Sequence, residues 1–191
     1  MNTFIITVFS STVIAAIISG FISLQINKRE LEVKLKLEQS NKWIENINKS
    51  HNDYINSTIQ YMNDLMAFSL KKIDEEHIVK SLNETNKTYN VLSFFMQQSE
   101  YNLSSVRNAE KYMEKNTQIL NKQREEVMKY LRNNLGISVL KEKMGEAEHE
   151  LGKNHNRLSE KLGIMVRVQK EEMTKDIIKQ PLIGNIFNLK R

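Results

Sequence analysis

The stretch VRNAEKYMEKNTQILNKQREEV, residues 106–127, carries Val106, Met113, Leu120 and Val127 at a constant interval of seven. ISVLKEKMGEAEHELGKNHNRLSEKLGIM, residues 137–165, repeats that interval with Ile137, Met144, Leu151, Leu158 and Met165. Seven residues are close to two turns of α-helix, so each set lies along one face and needs a packing partner. Ten residues separate Val127 from Ile137, a break in phase at Gly136. Glycine readily takes the left-handed conformation of a helix C-cap, so the pattern predicts an antiparallel helical hairpin over residues 102–180 that turns near Gly136. The nine apolar residues form a candidate helical interaction stripe. A second stripe is less regular: Leu140 and Ala147 are followed by Asn154 and Lys161. This is the pattern of a bundle or weak coiled coil rather than a uniform zipper. Gly145, Gly152 and Gly163 each weaken the second helix by about 1 kcal/mol relative to alanine, so that helix depends on packing.

Working outward, the whole composition favours helix. Six glycines and one proline are too few for a chain of tight turns. With no cysteine, disulfides, thiolate metal sites and cysteine nucleophiles are excluded. Lysine outnumbers arginine 21 to 7, and the formal charge of +5 arises after residue 27, where acidic and basic residues are interspersed. Such interspersion suits a solvated helical surface.

Residues 4–24 run from Phe4, Ile5 and Ile6 to Phe21, Ile22, Ser23 and Leu24 without a charge. As a helix they rise roughly 31 Å, enough to span a hydrocarbon core. Only Met1, Asn2 and Thr3 precede them, which is not the basic leader of a cleaved signal peptide, so an uncleaved anchor over residues 1–27 is expected. Lys28 and Arg29 follow at once, with Lys34 and Lys36 behind them; the positive-inside bias then places the N-terminus outside and the remainder in the cytoplasm. Small residues fall on two neighbouring stripes of the anchor, Ser11, Ala15, Ser19, Ser23 and Thr12, Ala16, Gly20. They offer a smooth membrane packing face for self-association or a membrane partner.

Between anchor and hairpin, residues 28–101 read as membrane-proximal helices. Leu31, Val33, Leu35 and Leu37 alternate as a strand would, yet their Lys, Glu and Gln neighbours are helix formers and a lone strand would leave its backbone unpaired. Helix is therefore expected there. Ile44, Ile47, Ile55, Ile59, Met62 and Met66 predict one apolar face. Lys71 and Lys72 suit a helix C-terminus, and Asp74, Glu75 and Glu76 a helix start, giving a boundary near residue 73. The polar segments Asn83–Asn90 and Gln97–Asn102 are candidate connections. Tyr89, Val91, Leu92, Phe94, Phe95 and Met96, the densest apolar cluster outside the anchor, are candidate core. After Pro181, the tail of residues 181–191 carries Leu182, Ile183, Ile186, Phe187 and Leu189 before Lys190 and Arg191. Docking on the bundle is its first reading and contact with a membrane surface its second.

Chemistry finds little purchase. No two glycines lie closer than seven residues, which rules out glycine-rich phosphate loops. The histidines, His51, His77, His149 and His155, form no His-x3-His pair. Glu146-x-x-His149 and Asp74-x-x-His77 have the spacing of di-iron bundle ligands, but Glu146 and His149 fall at outward heptad positions. Lys111, Lys115, Lys122 and Arg124 alternate with Glu110, Glu114, Glu125 and Glu126, which supports pairs along a helix better than it follows a phosphate backbone. No catalytic residue, cofactor or metal ligand is assigned, and neither a small-molecule substrate nor nucleic acid is an expected partner.

Asn41-Lys42-Trp43-Ile44-Glu45-Asn46-Ile47 and Val91-Leu92-Ser93-Phe94-Phe95 resemble segments of uncharacterised bacterial single-pass membrane proteins with a cytoplasmic helical domain, some of them similar to phage-defence-associated membrane proteins. The resemblance spans about half the chain and implies a sensor or effector role without catalytic residues. The expectation is an all-α chain: one transmembrane helix, then a cytoplasmic helical bundle. Its expected role is a non-enzymatic scaffold or sensor at the inner face of a bacterial inner membrane, partnered by the lipid bilayer and by itself or another protein. A membrane-permeabilising effector is the alternative.

Overall fold

A computed structural model describes residues 2–99, 103–133 and 136–179, with side chains from residue 13 onward except at Leu103 and Lys179. Among these residues the chain is all-α, with four helices and no strand: α1 (Asn2–Ser69), α2 (Glu75–Gln97), α3 (Leu103–Asn133) and α4 (Ile137–Lys179). Two compact units divide it, Lys42–Glu172 and the pair of segments Met1–Asn41 and Met173–Arg191.

Lys42–Glu172 is a four-helix bundle with two apolar layers. The first joins Trp43, Ile47 and Tyr54 of α1 to Leu92 and Met96 of α2, Val106, Ala109 and Met113 of α3, and Leu158, Leu162 and Met165 of α4. In the second, Tyr61, Met62 and Leu65 meet Ile78, then Ile119, Leu120 and Val127, then Leu140, Met144, Ala147 and Leu151. Sequence position therefore rises from first layer to second along α1 and α3 and falls back along α2 and α4. Each helix runs antiparallel to the one before it, as short connections require.

The connections have local causes. After α1, Lys72 N–H donates to the Ala67 carbonyl and Lys71 N–H to that of Phe68, both at 2.9 Å. This is a Schellman pattern, with Lys71 in the left-handed region at φ 59°. Asp74 then caps α2 by accepting from His77 N–H at 2.9 Å, with Glu75 and Glu76 in the first turn.

Four sequence expectations need correction. Asn83–Asn90 is no connection but the middle of α2, because Thr85 and Thr88 bury themselves by donating to the Ser81 and Thr85 carbonyls of their own helix. The inward face of α1 is Ile47, Tyr54, Thr58, Tyr61, Met62 and Leu65, whereas Ile59 is 47 % exposed and Ile55 and Met66 are only half-buried. The tyrosines displace the isoleucines because each offers a large apolar ring. Within the aromatic cluster of α2, Leu92 and Met96 are core, but Val91 and Phe94 are exposed. No described glycine has positive φ, so Gly136 is not a left-handed cap.

The anchor lies only partly among the described side chains. Among these residues no helix is long and apolar enough to cross a membrane; Phe4 to Thr12, including Ser11 and Thr12 of the packing face, lie outside the described side chains. The tail of residues 181–191 also lies outside the described residues.

Candidate functional site: a polar seam through the bundle

Between the two apolar layers runs a belt of buried polar side chains drawn from all four helices. Thr58 comes from α1, Thr85 and Thr88 from α2, Asn116 from α3, and Asn154 and His155 from α4. The heptad that builds the core also builds the belt. Thr85 lies between Ile78 and Leu92, Asn116 between Ala109 and Gln123, and Asn154 follows Ala147, each at an interval of seven.

α1 is the hub of the bonding. Toward α2, its Ser57 Oγ lies 2.6 Å from Thr88 Oγ1, and Thr85 Oγ1 donates to the Ser57 carbonyl at 3.1 Å. At the far end of the first layer, Trp43 Nε1 donates to the Phe95 carbonyl at 2.8 Å. Toward α3, Tyr54 donates to the Met113 carbonyl at 3.3 Å. Toward α4 the bonds are reciprocal: Thr58 Oγ1 pairs with His155 Nε2, and His51 Nε2 with Ser159 Oγ, both at 3.0 Å.

Burial sets the charge state of these groups. It lowers the pKa of His51, and it brings His155 down to about 4 with help from the neighbouring His51 charge. Both imidazoles are therefore neutral at pH 7. Burial raises the pKa of the Tyr54 phenol, and the polar side chain of Asn116 beside it partly offsets the rise. Asn116 is fully buried, yet neither its Nδ2 nor its Oδ1 has a hydrogen-bond partner; Asn154 Nδ2 and Gln123 Oε1 are also unpartnered. Such a seam resists helix sliding, because one turn of displacement would strand several buried polar atoms.

A shallow groove of about 280 Å³ opens beside the seam between α1 and α4, lined by Ile59, Met62, Glu148, Leu151, Gly152 and His155 among others. Its lining is mostly apolar, and its one carboxylate, Glu148, is exposed. Among the described residues, no three His, Asp or Glu side chains come together as metal ligands. Glu146 and His149 are exposed on α4, and His77 lies 3.6 Å from Asp64, which belongs to α1.

The interaction stripe is spent inside the chain. Val106, Met113, Leu120, Val127, Met144, Leu151, Leu158 and Met165 are all buried in the bundle core, and Ile137 packs at its edge. The described part of the anchor's packing face, Ala15, Ala16, Ser19, Gly20 and Ser23, is exposed, and a Cβ built on Gly20 meets nothing within 4 Å. Sequence reasoning missed the seam because Asn154 and Thr85 read there as defects in a stripe or as loop. Their signal was that each occupies a core heptad position in its helix.

Comparison with known proteins gives no matching family, no matching curated protein and no matching solved structure.

Proposed function

We propose that this chain is a membrane-anchored, non-enzymatic interaction protein whose helical bundle works as a scaffold or sensor at the cytoplasmic face of a bacterial inner membrane. One observation carries the reading: every large apolar side chain described on α1 from Val13 to Ile26 is exposed, namely Val13, Ile14, Ile17, Ile18, Phe21, Ile22, Leu24 and Ile26. At about 1 kcal/mol for each half-exposed side chain, covering that surface is worth on the order of 10 kcal/mol. These side chains cover more than half of the helix circumference and the rest carries small uncharged residues, a distribution that suits lipid better than one stripe for one partner helix. Lys28 and Arg29 follow it directly and favour the cytoplasmic orientation.

The test is fractionation of bacteria expressing the full chain with fluorescent protein fused after Arg191. The expected result is a fluorescent membrane pellet that resists alkaline carbonate. Release of the chain by carbonate would overturn the anchor.

A second reading, a membrane-permeabilising effector, draws support from the open backbone at Gly20, where another helix could approach closely. A voltage-sensitive dye in cells expressing the full chain, beside a chain carrying Ala16→Leu and Gly20→Leu, separates the two. Depolarisation by the first alone favours the effector, and an unchanged potential in both favours the scaffold.

A further inference from the structure

Glu148 borders the groove of about 280 Å³ between α1 and α4, and the sequence leaves its charge alone. Its neighbours one turn away on α4 are Met144, Gly145, Leu151 and Gly152, none of which can pair with a carboxylate. Among the described residues Glu148 has no ion-pair or hydrogen-bond partner. Gly152 keeps the same groove open. A mid-helix glycine costs about 1 kcal/mol relative to alanine, and no packing requires this one, because a Cβ built on it meets nothing within 4 Å. Beside it lie Met62, Leu151 and Ile59, the last of which is 47 % exposed.

His155 completes the lining and is more than nine-tenths buried. The one hydroxyl proton of Thr58 goes to the Ile55 carbonyl at 2.7 Å, so in the 3.0 Å pair His155 Nε2 donates to Thr58 Oγ1. A neutral imidazole that donates through Nε2 keeps its lone pair on Nδ1. The groove therefore joins an apolar surface to two acceptors seven residues apart on α4, a rise of roughly 10 Å, and among the described residues no Lys or Arg lines it. At the ~30 Å³ that each water occupies, its volume suits a molecule of roughly ten non-hydrogen atoms, far less than the surface a protein partner needs. We propose that this groove binds a small amphipathic amine that carries a second hydrogen-bond donor at the far end of its apolar body. The ammonium meets Glu148, the far donor meets His155 Nδ1, and the body covers Ile59, Met62, Leu151 and the open face of Gly152. The site stands whether or not residues 4–24 cross a membrane.

Tyramine, a phenol and an ammonium joined by an apolar body, is the probe. The full chain carries six glycines, so labelling with [15N]glycine in detergent micelles gives a simple amide spectrum in which Gly152→Ala identifies the Gly152 signal by its loss. Tyramine should shift that signal saturably, and more than any other glycine amide, with a Kd on the order of 1 mM. Tyrosol, with a hydroxyl in place of the ammonium, and phenethylamine, without the phenol hydroxyl, should each bind roughly threefold or more weakly. Glu148→Gln should lower the affinity for tyramine to that for tyrosol and leave tyrosol unchanged. No saturable shift of Gly152, or equal shifts of all the glycine amides, would overturn the site. Equal binding of tyramine and tyrosol, or no effect of Glu148→Gln, would overturn recognition of the ammonium by Glu148, and equal binding of phenethylamine would overturn the bond to His155.

Discussion

Replacing Asn116 by leucine should stabilise the bundle. The side chain is fully buried with both amide atoms unpartnered, and such a group costs about 1–3 kcal/mol relative to an apolar one of the same shape. Leucine repeats the branched four-heavy-atom shape of asparagine, and its higher helix propensity contributes a few tenths of a kcal/mol. The surroundings, Tyr54 on α1 and the Met113 turn of α3, can accept an apolar side chain because the Tyr54 hydroxyl keeps its bond to the Met113 carbonyl. A net gain of about 2 kcal/mol corresponds to a rise of about 7 °C in Tm for a bundle of this size. The assay is thermal unfolding of the full chain in detergent micelles, followed by circular dichroism, with Asn116→Ala alongside. Alanine removes the amide but leaves a void, so its effect should be smaller than that of leucine. A drop in Tm of more than about 3 °C for Asn116→Leu would refute the reasoning, because it would mean that the amide is satisfied in the folded protein.

Three further outcomes follow from the same geometry. His155 has a folded pKa of about 4 against an unfolded value of 6.5, so its contribution to stability is complete above pH 6.5 and is lost as pH falls toward 4. Discounted for partial solvent access, the loss is roughly 2 kcal/mol by pH 4; a pH series of Tm should fall less steeply for His155→Gln than for the parent chain. Lys71→Gly should raise stability by about 1 kcal/mol, because lysine at φ 59° carries a steric cost that glycine lacks; urea unfolding measures it, and an unchanged midpoint would contradict the Schellman assignment. Gly145→Ala and Gly163→Ala should each add about 1 kcal/mol, since the new methyl meets nothing within 4 Å; a lower Tm for either would show that its face is packed against something.

The hairpin half of the fold was legible because its apolar residues repeat at seven without interruption from Val106 to Val127 and from Ile137 to Met165. α2 was not, because Thr85 and Thr88 read as loop formers in isolation. They become helical core only when their hydroxyls bond to carbonyls of their own helix and to Ser57 of α1. The α1 face was misjudged for a related reason. Tyr54 and Tyr61 count as half-polar in a periodicity reading, although each ring is almost wholly buried. The seam itself depends on which residues meet across helices, and a single helix pattern carries no such information. Nor does it show that Arg29 reaches Ile177, 148 residues away.

Trp43, the sole tryptophan, sits in the first apolar layer, and the second layer has none. Its fluorescence therefore observes one half of the bundle, whereas circular dichroism at helical wavelengths observes every turn. A polar seam between two apolar layers is a natural boundary between cooperative units, because few apolar contacts carry the loss of one layer into the other. Coincident melting curves from the two signals would mark the bundle as a single foldon, and separated curves would mark the seam as the plane along which it comes apart.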